Sequence, residues 1–427
     1  MGAVTVNWAG NLTYSSQRVE RPETLEQLQE LMAGTDPVRA LGSRHSFSDV
    51  ADTTGVHVEV DAIDDGRPPV ELDAATGVVS VNGGLRHGVV ATALQASGRA
   101  LSNLASLPHI SVAGAVATAT HGSGNGNQCL AGDVVGLELV TASGDLLTLR
   151  RGDADFPGAV VALGALGVVT RVELATRPTF DVRQDVLTGL PWDALAENLD
   201  AVTGSAYSVS LFTSWDEPTV REVWRKALAV PGEATPAAVG PDDVLVALGA
   251  KPATGPHHPI PGVDPAACTA QLGVPGPWHE RLPHFRLDFT PSVGDELQSE
   301  YLVPRARAVE AIEALRRLGP VVAPLLLTSE IRTVAADDLW LSPFDEDRIG
   351  FHFTWVADGQ AVRAVLPRLE DALLPLGARA HWGKLSTVPL ADVAADYPRF
   401  ADFRKLAGHL DPAGRMRGGY VERLLAV

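Results

Sequence analysis

The stretch that most constrains this chain runs from Val38 to Asp49 and reads VRALGSRHSFSD. Val38, Ala40 and Leu41 suit a buried strand, which breaks at Gly42. Ser43, Arg44, His45, Ser46 and Ser48 then crowd a short polar turn. Glycine at the break relaxes the backbone, so the turn amides can face a ligand. Consecutive turn amides form an anion-binding concavity, and Arg44 could add a fork for phosphate. His45 has the chemistry of a nucleophile, a ligand or a base. On their own, the same letters also describe a plain strand-to-loop turn with a partly exposed histidine.

A second stretch, Ser106 to Gly126, reads SLPHISVAGAVATATHGSGNG. Gly114, Gly122, Gly124 and Gly126 are spaced among Ser111, Thr118 and Thr120. Side chains this small let another group approach the backbone, and they equally fit an element packed tightly on its neighbour.

Together the two stretches resemble the flavin-binding half of the vanillyl-alcohol oxidase type of FAD-linked oxidases. The family's G-x-x-H-S loop stands here as Gly42-Ser43-Arg44-His45-Ser46. The resemblance covers nearly the whole chain and is strongest toward the bacterial alditol (xylitol) oxidases. It rests on the runs NWAGN, LPHISVAGAVATATHGSG, GVPGPWHERLPHF, SEIRTVAAD and HWGK. It implies a covalent bond from His45 to the isoalloxazine 8α-methyl group, with Leu41, Gly42, Ser43, Arg44, Ser46 and Phe47 around the cofactor. It implies that Ser106 reaches both flavin and substrate. Ser111, Gly114, Thr118, Ala119, Thr120 and His121 would line the cofactor, and Val169 would meet it through its backbone. Many members carry glycine where this chain has Arg44, so the backbone there must avoid positive φ or be strained. The run from Leu410 to Met416 resembles the family's C-terminal return to the FAD domain. Met416 and Gly418 replace the usual phenylalanine and asparagine, so no site residue carries over from it.

A chain of 427 residues exceeds one ordinary core and predicts two domains. A hydrophobic share of 45% with 20% charged residues is globular. The net charge of −18 argues against nucleic acid or an anionic membrane and suits a neutral substrate. Cys129 and Cys268 form neither a metal spacing nor a disulfide framework, which fits a reducing cytoplasm. No signal-peptide pattern opens the chain, and no apolar run approaches the roughly 20 residues of a membrane span. A nicotinamide fingerprint is missing. His109 and His121 lack a ligand at metal spacing and read as hydrogen-bonded structural histidines, so no metal is expected.

Pro22 and Thr24 predict the start of a helix with Leu25, Leu28, Leu31 and Met32 on one face and a stop at Gly34. Strands are expected at 57–60, 78–81 and 168–175, with a hairpin over 134–149. A helix follows Gly83-Gly84 and ends at Gly98. Three later stretches alternate strictly: 284–289, 327–333 and 350–355. Period two predicts antiparallel strands with one apolar face against helices. Val309, Ile312 and Leu315, stopped by Gly319, mark one such helix. Val362, Val365, Leu369, Leu373 and Leu376 mark another, kinked or begun late by Pro367. The Pro/Gly-rich segment 227–267 predicts a long loop with a short helix at 242–248 and a solvent-facing His257-His258. The expected architecture is α+β. A PCMH-type FAD-binding domain spans 1–178, an antiparallel-sheet cap domain 179–390, and 391–427 returns to the FAD domain.

Glu330 and Arg332 lie on one side of a predicted strand, about 6.8 Å apart. Such a pair alone reads equally as a salt-bridged outer face. His352 and Thr354 repeat the pattern on a second strand, Trp382 and Lys384 on a third. The result is a polar pocket for a polyhydroxylated molecule. Oxidising an alcohol needs hydride loss from carbon and proton loss from oxygen. Arg332 and Lys384 are expected at the reacting hydroxyl and His352 as the base, with Glu330 the second choice. Glu330, Ser106 and Thr354 would hold the other hydroxyls, and the family's alditol oxidases use the matching positions of all six.

The expected reaction takes the terminal primary alcohol of an alditol (xylitol, sorbitol) to the aldose, with O2 reduced to H2O2 by a monomer. One rival is an aldonolactone oxidase or dehydrogenase of the same superfamily. Another is a carbohydrate-binding flavoprotein without turnover. A metallohydrolase ranks third, because the histidines are scattered.

Overall fold

The computed structural model describes residues 5–229, 239–289 and 295–427. The chain begins with a parallel three-stranded sheet in which Val56–Val58 lies between Arg18–Glu20 and Val38–Ala40. The central strand is buried throughout, as parallel strands covered on both faces are. Helix Leu25–Met32 packs Leu28 and Met32 onto this sheet. Its N-cap is Thr24, whose side chain accepts from the Gln27 amide, so Pro22 falls before the helix rather than in its first turn.

A five-stranded antiparallel sheet follows, in the order Val70–Asp73, Val78–Asn82, Val168–Ala175, Val134–Val140, Leu146–Arg150. The expected hairpin over 134–149 and the expected strands at 78–81 and 168–175 are present in it. Helices Phe400–Leu410 and Gly419–Leu425 bury Phe403, Leu406 and Leu424 in the same core as this sheet. Met416 is fully buried beside Val38, and the Arg415 carbonyl accepts from the Val38 amide at 2.8 Å.

Among the described residues, the largest sheet has nine antiparallel strands. Thr219–Leu228, Ser208–Thr213, Leu326–Val334, Arg348–Val356 and Glu296–Pro304 form its middle. Ile331, Phe351, Phe353, Trp355 and Tyr301 point to one face and pack with helices Ala308–Val322 and Gly359–Leu373. Each such aromatic, fully buried, contributes about 2–3 kcal/mol of apolar transfer. The opposite face is polar.

Four expectations need correction. Gly319 does not stop its helix, which continues to Val322. A Cβ at Gly319 would collide with the Trp215 carbonyl, so this glycine serves close packing. Pro367 does not delay its helix, which starts at Gly359 with Asp358 as its cap and carries the proline inside it. Residues 284–289 form no strand. The His284 and Phe285 amides both donate to the Ser106 carbonyl, at 3.1 and 3.2 Å, while Leu287 and Phe289 are exposed. The short alternation there reflects a strap across the Ser106 loop. Finally, the Arg379–Ala380 strand ends before HWGK, which turns. Trp382 therefore faces away from Lys384 and stacks on Tyr397, with Nε1 donating to the Leu341 carbonyl. Among the described residues, no helix is long and apolar enough to cross a membrane.

Candidate active site

The Val38–Ala40 strand delivers Leu41, whose amide donates to the Val58 carbonyl at 2.8 Å, and the chain then turns at Gly42. A Cβ at Gly42 would strike the Ser111 side chain. That closeness allows a reciprocal pair: Ser43 N donates to Ser111 Oγ at 3.3 Å and Ser111 N to Ser43 Oγ at 3.0 Å. The Ser43 amide is thus engaged by protein, as is that of Phe47, which donates to the Gly383 carbonyl at 2.7 Å.

Arg44 takes the strained alternative, with φ of 64°. A left-handed conformation costs a residue with a Cβ about 1–2 kcal/mol. The conformation is held by Trp8 N donating to the Arg44 carbonyl at 2.8 Å and by an ion pair with Glu59 at 2.6 Å. One guanidinium nitrogen of Arg44 is thereby matched by a carboxylate. The NWAGN run braces the rest of the loop. Asn7 Nδ2 donates to the Ser46 carbonyl at 2.9 Å and Asn11 Nδ2 to that of Phe47 at 3.1 Å. The Trp8 indole stacks on His45 at 5.2 Å. Burial pushes His45 down to about 4, so its ring is neutral at pH 7, and Nδ1 is buried without a partner.

His45 opens into a cavity of about 690 Å³. Leu41 to Phe47, Ser106, Ser111, Gly114, Thr118, Thr120, His121 and Val169 all line it. Ala119 does not; its methyl is fully buried in the core behind helix Val112–Ala117. The wall suits a flavin nucleotide. Gly42, Gly83, Gly84, Gly114, Gly164 and Gly167 keep it shallow, hydroxyls of Ser43, Ser111, Thr118 and Thr120 are close by, and an unpartnered imidazole nitrogen stands at one end. Buried Arg39, which sequence reasoning passed over, ties this wall together by donating to the Leu163, Gly164 and Met416 carbonyls.

The polar face of the nine-stranded sheet closes the other side. Register aligns its groups in rows: Glu330, His352 and Glu300 are cross-strand partners, as are Thr328, Thr354 and Gln298. Arg332 lies opposite Gly350, which has no side chain to fill the space. Arg332 Nη2 meets Glu300 Oε1 at 2.7 Å, and Nη1 reaches Ser106 Oγ at 3.5 Å. His352 Nδ1 lies 3.4 Å from Glu300 Oε2, and its Nε2 is 3.3 Å from Thr354 Oγ1. Lys384 arrives from the HWGK turn, bonds Gln298 Oε1 and lies 5.0 Å over the Phe47 ring.

Burial alone would raise the Glu330 carboxyl, but Arg332 and the His284 hydrogen bond hold it well below the usual range. Glu300 behaves likewise, with Arg332, His121 and His352 outweighing burial. Burial lowers His352 below its ordinary value against the pull of Glu300, and pushes Lys384 down to about 8.

Glu300 and Gln298 are absent from the sequence reading. Their signal was available: in ELQSEYLVP they alternate with Leu297, Ser299 and Tyr301. His121 also gains neighbours that spacing could not reveal. Glu300 and His381 join it with ligand atoms within 4.8 Å of one another. The Arg332 guanidinium already occupies the Glu300 oxygen such a metal would need. His258, expected in solvent, lines the cavity, its Nδ1 accepting from the Ile260 amide at 3.0 Å. His257 is half-buried against Glu222 at 3.1 Å.

Residues 16–150 match the FAD binding domain family model, and residues 295–424 match the model described as D-arabinono-1,4-lactone oxidase. Alditol oxidase of a Streptomyces species is 47% identical over 430 residues, covering 100% of both chains. L-gulono-1,4-lactone dehydrogenase of Mycobacterium tuberculosis is 29% identical over 439 residues, again covering 100% of both. The crystal structure of cholesterol oxidase from B. sterolicum superposes with a TM-score of 0.75 at 15% identity, over 99% of this chain and 96% of that one. That likeness shows the fold, a FAD-binding unit joined to an antiparallel-sheet unit. With the 47% relative matched end to end, the chain belongs to the alditol oxidase family of FAD-linked oxidases and is an FAD oxidoreductase.

Proposed function

We propose that this enzyme oxidises the terminal primary alcohol of an alditol such as xylitol or sorbitol to the aldose. The observation carrying this reading is that Glu330, Arg332, His352, Thr354 and Lys384 face the same cavity as His45 and Ser106. FAD bound there would supply the acceptor for the hydride and, with O2 as the final oxidant, yield H2O2. Everything else falls to the chain. Arg332 and Lys384 orient the reacting hydroxyl and stabilise developing negative charge on its oxygen. His352 takes the proton. The Glu300 carboxylate beside Nδ1 favours a proton there, which leaves Nε2 as the accepting lone pair. Thr354, Glu330 and Ser106 hold the remaining hydroxyls. Two cationic groups balanced by Glu300 and Glu330 suit a neutral polyol better than an anion.

We further read His45 as the covalent attachment point: the half-buried ring is neutral, and its Nδ1 is buried without a partner. Denatured wild-type protein should stay yellow, and His45→Ala should release its flavin on denaturation. The proposed division is a FAD domain of 1–178, a cap of 179–390 and a returning segment of 391–427.

The decisive experiment is the visible spectrum before and after xylitol is added without oxygen. Bleaching, followed by return of colour and peroxide on aeration, supports the reading. A yellow protein that ignores xylitol and sorbitol but bleaches with L-gulono-1,4-lactone replaces it with the lactone reading, which the match over 295–424 favours.

A further inference from the structure

The GVPGPWHERLPHF run ends near His284, a buried residue that no step above uses. Its ring stands between two charged groups. Nε2 lies 2.8 Å from Glu330 Oε1, and Nδ1 lies 3.0 Å from Lys226 Nζ. Lys226 comes from the Thr219–Leu228 strand and is 1% exposed. Its Nζ also meets the Leu282 and Pro283 carbonyls, at 2.5 and 3.1 Å. An ammonium has three N–H donors and no lone pair, and these three acceptors use all of them.

The tautomer of His284 follows from both ends. The Glu330 carboxylate can only accept, so Nε2 must carry the proton. With the ring proton on Nε2 toward Glu330, the lone pair of the neutral imidazole lies on Nδ1 and accepts from Lys226. Burial pushes His284 down to about 4, with Lys226 adding to it, which keeps a single proton on the ring. Burial also pushes Lys226 down to about 7, with Glu330 opposing. The three acceptors are those of its charged form.

We propose that Lys226 and His284 are positioning residues that lock Oε1 of Glu330 and leave Oε2, beside Arg332, to receive a polyol hydroxyl. This rests on the reading above that Glu330 binds substrate. Arg332 Nε lies 3.6 Å from Oε2, so the free oxygen already faces the cation placed at the reacting hydroxyl. Lys226 and Glu330 stand on different strands, separated by Ser208–Thr213, and the strap carrying His284 bridges them.

The test is an anaerobic titration of the holoenzyme with xylitol, reading flavin bleaching. In His284→Phe the dissociation constant should rise about tenfold, the scale of one lost hydrogen bond to a charged group. The limiting bleaching rate should fall less than about threefold, because His352 is untouched. His284→Gln, whose amide can donate from the same place, should recover most of that loss. Adding Lys226→Met to His284→Phe should add nothing further to the dissociation constant, since both act through one contact. A wild-type dissociation constant in His284→Phe, or equal impairment in His284→Gln and His284→Phe, overturns the inference. Glu330→Gln separates the two levels. If it is impaired while His284→Phe is not, only the positioning pair is wrong. If Glu330→Gln bleaches as wild type, or wild type does not bleach at all, the substrate reading and this inference fall together.

Discussion

The two walls of the cavity are built in opposite ways. The flavin-side wall is made of backbone turns, glycines and hydroxyls, and neighbours in sequence are neighbours in space: Gly42 to Phe47 and Ser111 to Thr120. The sheet-side wall is made of charged side chains from separate strands, brought together only by cross-strand register. The first wall grips by shape. The second holds a buried set of charges in balance, in which each group depends on a distant partner. Substitutions on the sheet side should therefore propagate, while those on the flavin side should stay local.

The largest expected effect lies on the sheet side. His352→Ala should cut the anaerobic rate of flavin bleaching by about 10²–10⁴-fold, the usual worth of a general base, with a smaller change in xylitol affinity. A bleaching rate equal to wild type would move the chemistry off this wall. Next is Glu300, which shares its carboxylate among Arg332, His121 and His352. Glu300→Leu leaves the buried Arg332 charge with only its longer contact to Glu330, at 3.6 Å, and urea unfolding should show a loss of about 3 kcal/mol. A loss below about 1 kcal/mol would mean that the groups are not coupled.

The flavin side offers a contrast in pH. His87, at the start of helix His87–Ala96, is buried with neither ring nitrogen bonded, and burial pushes it down to about 4. Its value in the unfolded chain is the ordinary 6.5. The unfolded state therefore binds the proton first as pH falls. Stability is whole above 6.5 and is lost progressively from there down through 4. The most this residue can account for is about 3 kcal/mol. His87→Phe should flatten the fall in melting temperature across that window relative to wild type; an identical profile would exclude His87 as a source of acid lability. The smallest effect is at Arg44. Arg44→Gly relieves the left-handed strain but loses a half-exposed ion pair with Glu59, so thermal unfolding should register a net change below about 1 kcal/mol.

Much of this was legible in the letters. The small-residue runs and the His45 loop pointed to the flavin wall, and alternation at 327–333 and 350–355 assigned Glu330, Arg332, His352 and Thr354 to one face. Alternation failed at 284–289 because so few repeats cannot distinguish a strand from a strap whose amides bond Ser106. It failed at HWGK for the same reason: Lys384 reaches the site from a turn, and Trp382 leaves for the other core.

What the sequence determined by itself was everything carried by local spacing: the strand-and-turn at His45, the apolar face of the helix that carries Leu28 and Met32, and the polar and apolar sides of the Leu326–Val334 and Arg348–Val356 strands. Periods of about 2 residues in strands and about 3.6 in helices fix those faces without any partner. What only the tertiary structure decided was which charges meet. Glu300 beside Arg332, and Lys226 behind His284 behind Glu330, are contacts between residues 32 to 58 positions apart. Such a contact depends on register between strands, and it stays hidden until burial removes the water that would otherwise solvate each charge alone.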